Sequence, residues 1–194
     1  MKIGIVPTIR EVYRDQFELS VDLKLFKFFS KIYKNCEFVI LAYPKILNFD
    51  LLCLSGGNDI LESNKKKLNI RNKLDNYYYK KAKDKKIPII GICHGAQFIA
   101  KKEGGNIVYL KQKIKAHKIY SKKIKYLNCK VNSYHNLVIK DLPNKFETLA
   151  VDKNNFTECF RIKSSKVLGI IWHPERYKNI KYSDSRLIKE FLWY

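Results

Sequence analysis

The sequence predicts an α/β fold: a mostly parallel central sheet with helices on both faces, plus extra antiparallel strands. Short runs that are almost wholly apolar, such as residues 50–54 and 87–92, suit strands covered on both faces. Through the first hundred residues these runs alternate with segments of helical period. Beyond residue 106 the apolar runs follow one another with little helical pattern between them, which suits antiparallel pairing.

Taken in order, residues 2–6 form a buried first strand stopped by Pro7. A long first helix is expected within residues 10–34. Phe17, Val21, Leu25, Phe28 and Ile32 recur at spacings of four and three, with Lys24, Lys27, Lys31 and Lys34 largely off that face. Residues 37–42 and 50–54 read as the second and third strands, both covered on both faces, and Gly56-Gly57 closes the third. Residues 65–67 read as a basic loop, and residues 70–86 as a helix by the spacing of Leu74, Tyr77, Tyr78 and Ala82. Residues 87–92 make the fourth strand, followed by a helix over 95–102 that Gly104-Gly105 terminates. Strand-like runs at 106–110, 119–127, 137–139 and 167–171 precede a final helix over 183–193, with Leu187, Ile188, Phe191 and Leu192 on one side.

A chain of 194 residues with 46% hydrophobic and 13% aromatic content can bury a core, and residues 1–194 read as a single domain. The longest mostly apolar stretch, residues 87–100, is broken by polar residues and falls short of the ~20 a membrane span needs. With no secretory h-region after Met1, a cytoplasmic location is expected. Five scattered cysteines without a Cys-x-x-Cys pair suit a reducing compartment, and neither a metal nor another cofactor is expected. The formal charge of +21 raises nucleic-acid binding, but 33 of the 39 basic residues are Lys and only six are Arg. Lysines spread along the chain describe a solvated surface, or a field that attracts a small anionic substrate, better than a nucleic-acid stripe.

Chemistry concentrates in two segments. Gly91-Ile-Cys93-His-Gly95 fits a nucleophile elbow, where a tight strand-to-helix turn lifts the thiol above the sheet at a helix amino terminus. His173-Pro174-Glu175 supplies a base and the carboxylate that orients it; proline favours an extended segment, which would put both side chains on one side. Ser55-Gly56-Gly57-Asn58-Asp59 follows a buried strand, and the backbone N–H groups of Gly57 and His94 are candidates for an oxyanion hole.

These motifs, with residues 131–136 (Val-Asn-Ser-Tyr-His-Asn) and 157–160 (Thr-Glu-Cys-Phe), resemble in order and spacing the class I glutamine amidotransferase superfamily, and within it the γ-glutamyl hydrolase-like branch. The resemblance runs over almost the whole chain. It implies a flavodoxin-like sheet, a Cys93–His173–Glu175 triad, Gly57 in the oxyanion hole, and a substrate site drawn from Gly56, Gln97, Asn132, Ser133, Tyr134 and His135. His94 departs from the Arg frequent in the branch, and Glu158-Cys159-Phe160 from its Glu-Ala-Phe. The implied activity is hydrolysis of a small γ-glutamyl amide to glutamate and an amine, through a thioester on Cys93. Likeness to proteins of surface-polysaccharide pathways makes an anionic, nucleotide-linked leaving group the leading substrate class. The alternatives are a glutaminase subunit that delivers ammonia to a synthetase, and a basic nucleic-acid-binding module. No membrane partner is expected, and a homodimer or a synthetase partner stays open.

Overall fold

A computed structural model describes residues 1–45, 48–60, 65–111 and 115–193. The first strand, β1 (Lys2–Val6), pairs in parallel with β4 (Glu37–Ile40) on one side and β5 (Leu51–Leu54) on the other. Next come β6 (Ile89–Ile92) and β13 (Val167–Ile170), still parallel. The sheet then turns antiparallel through β12 (Thr157–Ile162), β10 (Leu137–Asp141) and β7 (Asn106–Tyr109), with β11 (Phe146–Val151) also on β12, giving nine strands among the described residues. Two small pairs complete the set: β2 (Thr8–Tyr13) with β3 (Gln16–Ser20), and β8 (His117–Lys118) with β9 (Lys130–Val131).

Period-two alternation builds the layers. Ile3, Ile5, Leu51, Cys53, Ile90, Ile92, Leu168 and Ile170 point to one core with helices α1 (Leu23–Ile32) and α4 (Tyr182–Trp193). Their neighbours Leu52, Leu54 and Ile89 point to the other, with α2 (Lys65–Asp84) and α3 (His94–Lys102). Most of these side chains are fully buried. Chain order reverses between β1 and β5, since β4 lies on the far side of β1. In open α/β sheets the crevice at such a reversal, outside the carboxyl ends of the strands, takes the ligand. Pro7, Ser55, Cys93 and His173 all follow the carboxyl ends of parallel strands there. Among the described residues no helix is long and apolar enough to cross a membrane.

Several expectations are corrected. The first helix is only ten residues long: Phe17 lies in β3 and Val21 just beyond it. Residues 8–20 form a hairpin turning at Asp15 (φ 60°), and Asp22, whose Oδ1 accepts from Lys24 N at 2.9 Å, caps α1 and starts it late. Lys65 to Lys67 open α2 instead of forming a loop, because α2 is a surface helix whose outer face is basic. Residues 119–127 are not a strand: Tyr120 makes one bridge to Val151, and Lys125–Leu127 is a single 3₁₀ turn. β4 is an edge strand with Glu37 and Ile40 exposed, not covered on both faces. β11 and β12 lie in sequence from which no strand is expected.

Candidate active site

Cys93 sits between β6 and α3 at φ 50° and ψ −103°, a left-handed conformation that costs a non-glycine residue about 1–3 kcal/mol. Its surroundings hold it there: Cys93 N donates to Ile170 O at 2.8 Å, and Cys93 O accepts from Gln97 N at 3.0 Å. The elbow glycines are needed for space. A Cβ on Gly95 would lie 2.0 Å from Leu54 O, and one on Gly91 would lie 2.6 Å from the Gly95 carbonyl carbon. Any side chain at either position would push helix and strands apart.

His173 approaches from the end of β13, 2% exposed. Its Nδ1 donates to Glu175 Oε1 at 2.6 Å. Burial disfavours the imidazolium, but hydrogen bonds to Cys93 and then to Glu175 outweigh it and raise the His173 pKa to about 9. The sequence predicts an extended segment here, whereas Pro174–Arg176 is a 3₁₀ turn. The pairing survives because proline keeps His173 itself out of the helix (φ −109°, ψ 87°), and the tight turn swings Glu175 back beneath the ring.

Asn132 fixes the histidine backbone: its Nδ2 donates to His173 O and its Oδ1 accepts from His173 N, both at 2.8 Å. Neither it nor Ser133 is among the residues that line the cavity beside Cys93. Asn132 thus clamps the His173 backbone.

That cavity, about 260 Å³, is lined by Gly57, Cys93, Gln97, Tyr134, His135 and His173 among others, so five of the predicted site residues besides Cys93 meet there. Gln97 Nε2 and His135 Nδ1 both donate to Leu137 O, at 3.1 and 2.8 Å, which leaves an acceptor on each side chain. Burial pushes His135 down to about 4, so it is neutral near pH 7. Tyr134 sets its ring edge-on to His173, with centroids 5.4 Å apart. Gly57 has φ 114°, and a Cβ there would strike Thr8 Oγ1 at 2.4 Å. Gly56 faces a second cavity; a Cβ on it would meet His173 Cε1 at 2.7 Å and Cys93 Cβ at 3.4 Å.

The His94 side chain takes no part in either cavity. Fully buried, it reaches Asn58 O through Nδ1 (3.0 Å) and Asp75 Oδ2 through Nε2 (2.9 Å). Asp75 also accepts from Arg71 Nε at 2.8 Å, and Arg71 donates to Pro7 O and Ser55 O, each at 2.7 Å. Burial opposes ionisation of Asp75, yet Arg71 and then His94 hold its carboxyl below the usual carboxylate range. This network ties α2 and the elbow to the segment carrying Gly56-Gly57. Sequence reasoning misses it; the Arg71/Asp75 spacing of four on a helix is the available signal. Glu158, also buried, pairs with His117 at 3.1 Å and lines neither cavity.

A sheet whose ligand crevice holds a strained cysteine beside a carboxylate-paired histidine defines an amidotransferase-like class of α/β protein. Residues 10–193 match the family model for glutamine amidotransferase class-I, and the chain belongs to that family. A γ-glutamyl-CDP-amidate hydrolase of Campylobacter jejuni is 30% identical over 171 residues, covering 86% of this chain and 80% of that one. One subunit of the glutamine-hydrolysing GMP synthase of Picrophilus torridus is 31% identical over 139 residues, covering 65% and 67% respectively. Among solved structures, a protein of the GMP synthase subunit type from Thermoplasma acidophilum has TM-score 0.72 at 21% identity, covering 99% of this chain and 92% of that one. A glutamine amidotransferase of Thermotoga maritima has TM-score 0.65 at 18% identity, covering 90% and 76%. Both agree with the predicted mostly parallel α/β sheet and its antiparallel extension.

Proposed function

We propose that this protein hydrolyses the amide of a small γ-glutamyl compound, releasing glutamate and an amine or amidate. The observation that carries the reading is the 2.6 Å His173–Glu175 hydrogen bond beside a cysteine held at positive φ. With its proton already on His173, Cys93 Sγ attacks the γ-carbonyl, and the backbone N–H groups of Gly57 and His94 receive the oxyanion. The C–N bond breaks as His173 protonates the departing nitrogen, leaving a γ-glutamyl thioester. His173 then takes a proton from water, which attacks the thioester; the C–S bond breaks, glutamate leaves and Cys93 is again a thiolate beside protonated His173. Glu175 supports the imidazolium in both halves. The acceptors on Gln97 and neutral His135 suit the α-ammonium of the glutamyl group, and 260 Å³ suits a ligand below drug size. By analogy with the C. jejuni relative, the leaving group is a nucleotidyl amidate.

The similarity to the P. torridus GMP synthase subunit supports a second reading, a glutaminase that passes ammonia to a separate synthetase. Glutamate release by the purified protein, without partner, from γ-glutamyl nucleotidyl amidate, γ-glutamyl amines and glutamine decides between them. The proposal expects turnover without a partner, best on the amidate. Glutamine turnover that begins only when a synthetase is added would replace it with the second reading.

A further inference from the structure

Beside the small cavity lies a second one of about 630 Å³, bounded by the β2–β3 hairpin, the start of α1 and the 3₁₀ turn after His173. The two share Gly57, His173 and Arg176, so they meet at the atoms that would hold the oxyanion and protonate the leaving nitrogen. An amide lying across Cys93 and His173 with its glutamyl half in the small cavity directs its nitrogen substituent into the larger. At 630 Å³ that space is within the range of roughly 300–1,000 Å³ that holds ligands of nucleotide size.

Its polar lining departs from the rest of the chain. Lysine outnumbers arginine 33 to six in the sequence, yet two of those six arginines, Arg10 and Arg176, line this cavity together with Lys67. The carboxylates present are already engaged: Asp22 Oδ1 caps α1, and Glu175 Oε1 receives His173. The Arg176 guanidinium stacks on Tyr134 at 4.6 Å, and its Nε is buried without a hydrogen bond, with Asp22 and Glu175 oxygens each 3.7 Å away. Among the described residues no side chain forms an ion pair with Arg10. Arginine offers planar paired donors matched to phosphate oxygens, which a surface of scattered lysines does not.

We infer that this cavity is the leaving-group site and that Arg10 and Arg176 make it specific for a phosphate or diphosphate attached through the scissile nitrogen. The inference rests on the γ-glutamyl hydrolase reading and adds the residues that select among its substrates. Arg10, on an outer strand, sets phosphate affinity; Arg176, at the junction, aligns the first phosphate with His173.

Two measurements on the full chain test it. Calorimetric titration with cytidine diphosphate, with inorganic pyrophosphate and with cytidine should show the two phosphate ligands binding and the nucleoside not. Arg10→Gln should weaken the phosphate ligands about tenfold, and Arg10→Glu more. In steady state, the kcat/KM ratio of a γ-glutamyl phosphoramidate to a neutral γ-glutamyl anilide should fall about tenfold or more in Arg10→Gln and in Arg176→Gln. An unchanged ratio, or phosphate affinity equal in the wild type and Arg10→Gln, overturns the inference while leaving γ-glutamyl hydrolysis standing. Release of glutamate from none of these substrates overturns the hydrolase reading instead, and the titration, which requires no turnover, still tests the cavity on its own.

Discussion

Replacing Arg71 with methionine should show how firmly the Gly56-Gly57 segment is anchored. Arg71 is fully buried and donates at 2.8 Å to Asp75, at 2.7 Å to Pro7 O and at 2.7 Å to Ser55 O. Methionine fills much of the volume but strands a buried carboxylate beside the His94 imidazole, whose burial disfavours the protonated form. Removing one partner of a buried ion pair costs about 3–5 kcal/mol, and two stranded carbonyls push toward the upper end. For a chain of this size each kcal/mol moves the melting temperature by roughly 2–4 °C, so a cost of about 4–5 kcal/mol should lower Tm by about 8–20 °C. Differential scanning calorimetry reads this directly. The double variant Arg71→Met/Asp75→Leu should be less damaged than the sum of its singles by at least about 1 kcal/mol, because the penalty comes from the orphaned charge. Ser55 adjoins Gly56-Gly57 and Pro7 precedes Thr8, whose hydroxyl donates to Gly56 O, so kcat measured well below Tm should fall more than the rate of Cys93 alkylation by iodoacetamide, a displacement that develops no oxyanion. A Tm drop under about 3 °C, or equal losses of turnover and alkylation, would refute this anchoring role.

Three further outcomes follow from the same geometry. The alkaline limb of kcat/KM should lie near pH 9, since His173 is protonated below that value and has no proton for the leaving nitrogen above it; a limb near the unperturbed histidine value would separate the ring from Cys93 and Glu175. Asn132→Ala removes both 2.8 Å clamps on the His173 backbone and should lower kcat about 10- to 100-fold with little change in Tm, checked by steady-state kinetics beside a melt. Glu175→Gln should retain more activity than Cys93→Ala or His173→Ala, because an orienter costs less than a nucleophile or base; a Glu175→Gln as inactive as Cys93→Ala beside an active His173→Ala would redraw the roles.

The parts of the site legible in the sequence are those fixed by local sterics. Gly91 and Gly95 announce an elbow because no side chain fits 2.0–2.6 Å from backbone, and Pro174 keeps His173 non-helical whatever follows it. The central strands are equally plain, since every residue of Leu51–Leu54 and Ile89–Ile92 is buried. Residues 8–20 mislead because Phe17 and Val21 fall by spacing onto the stripe of Leu25, Phe28 and Ile32, while the feature that separates them, the Asp22 cap, weighs little beside five apolar residues in register. The Arg71–Asp75–His94 network and the Asn132 clamp are illegible for another reason. Apart from the Arg71–Asp75 pair, four residues apart on one helix, their partners lie between 16 and 64 residues away, and only the folded sheet brings them together. Net charge misleads about location: the basic groups lining the larger cavity are two of the six arginines and only one of the 33 lysines.

Covalent labelling tests the central claim most directly. A glutamine-like electrophile such as a diazo-oxo-norleucine, followed by peptide mass spectrometry, should place a single adduct on Cys93 and none on Cys36, Cys53, Cys129 or Cys159, of which Cys53 and Cys159 are fully buried with thiols held protonated by that burial. Glutamate release should stop as the adduct forms, and Cys93→Ala should neither label nor turn over. An adduct on another cysteine, with hydrolysis persisting in Cys93→Ala, would contradict the account.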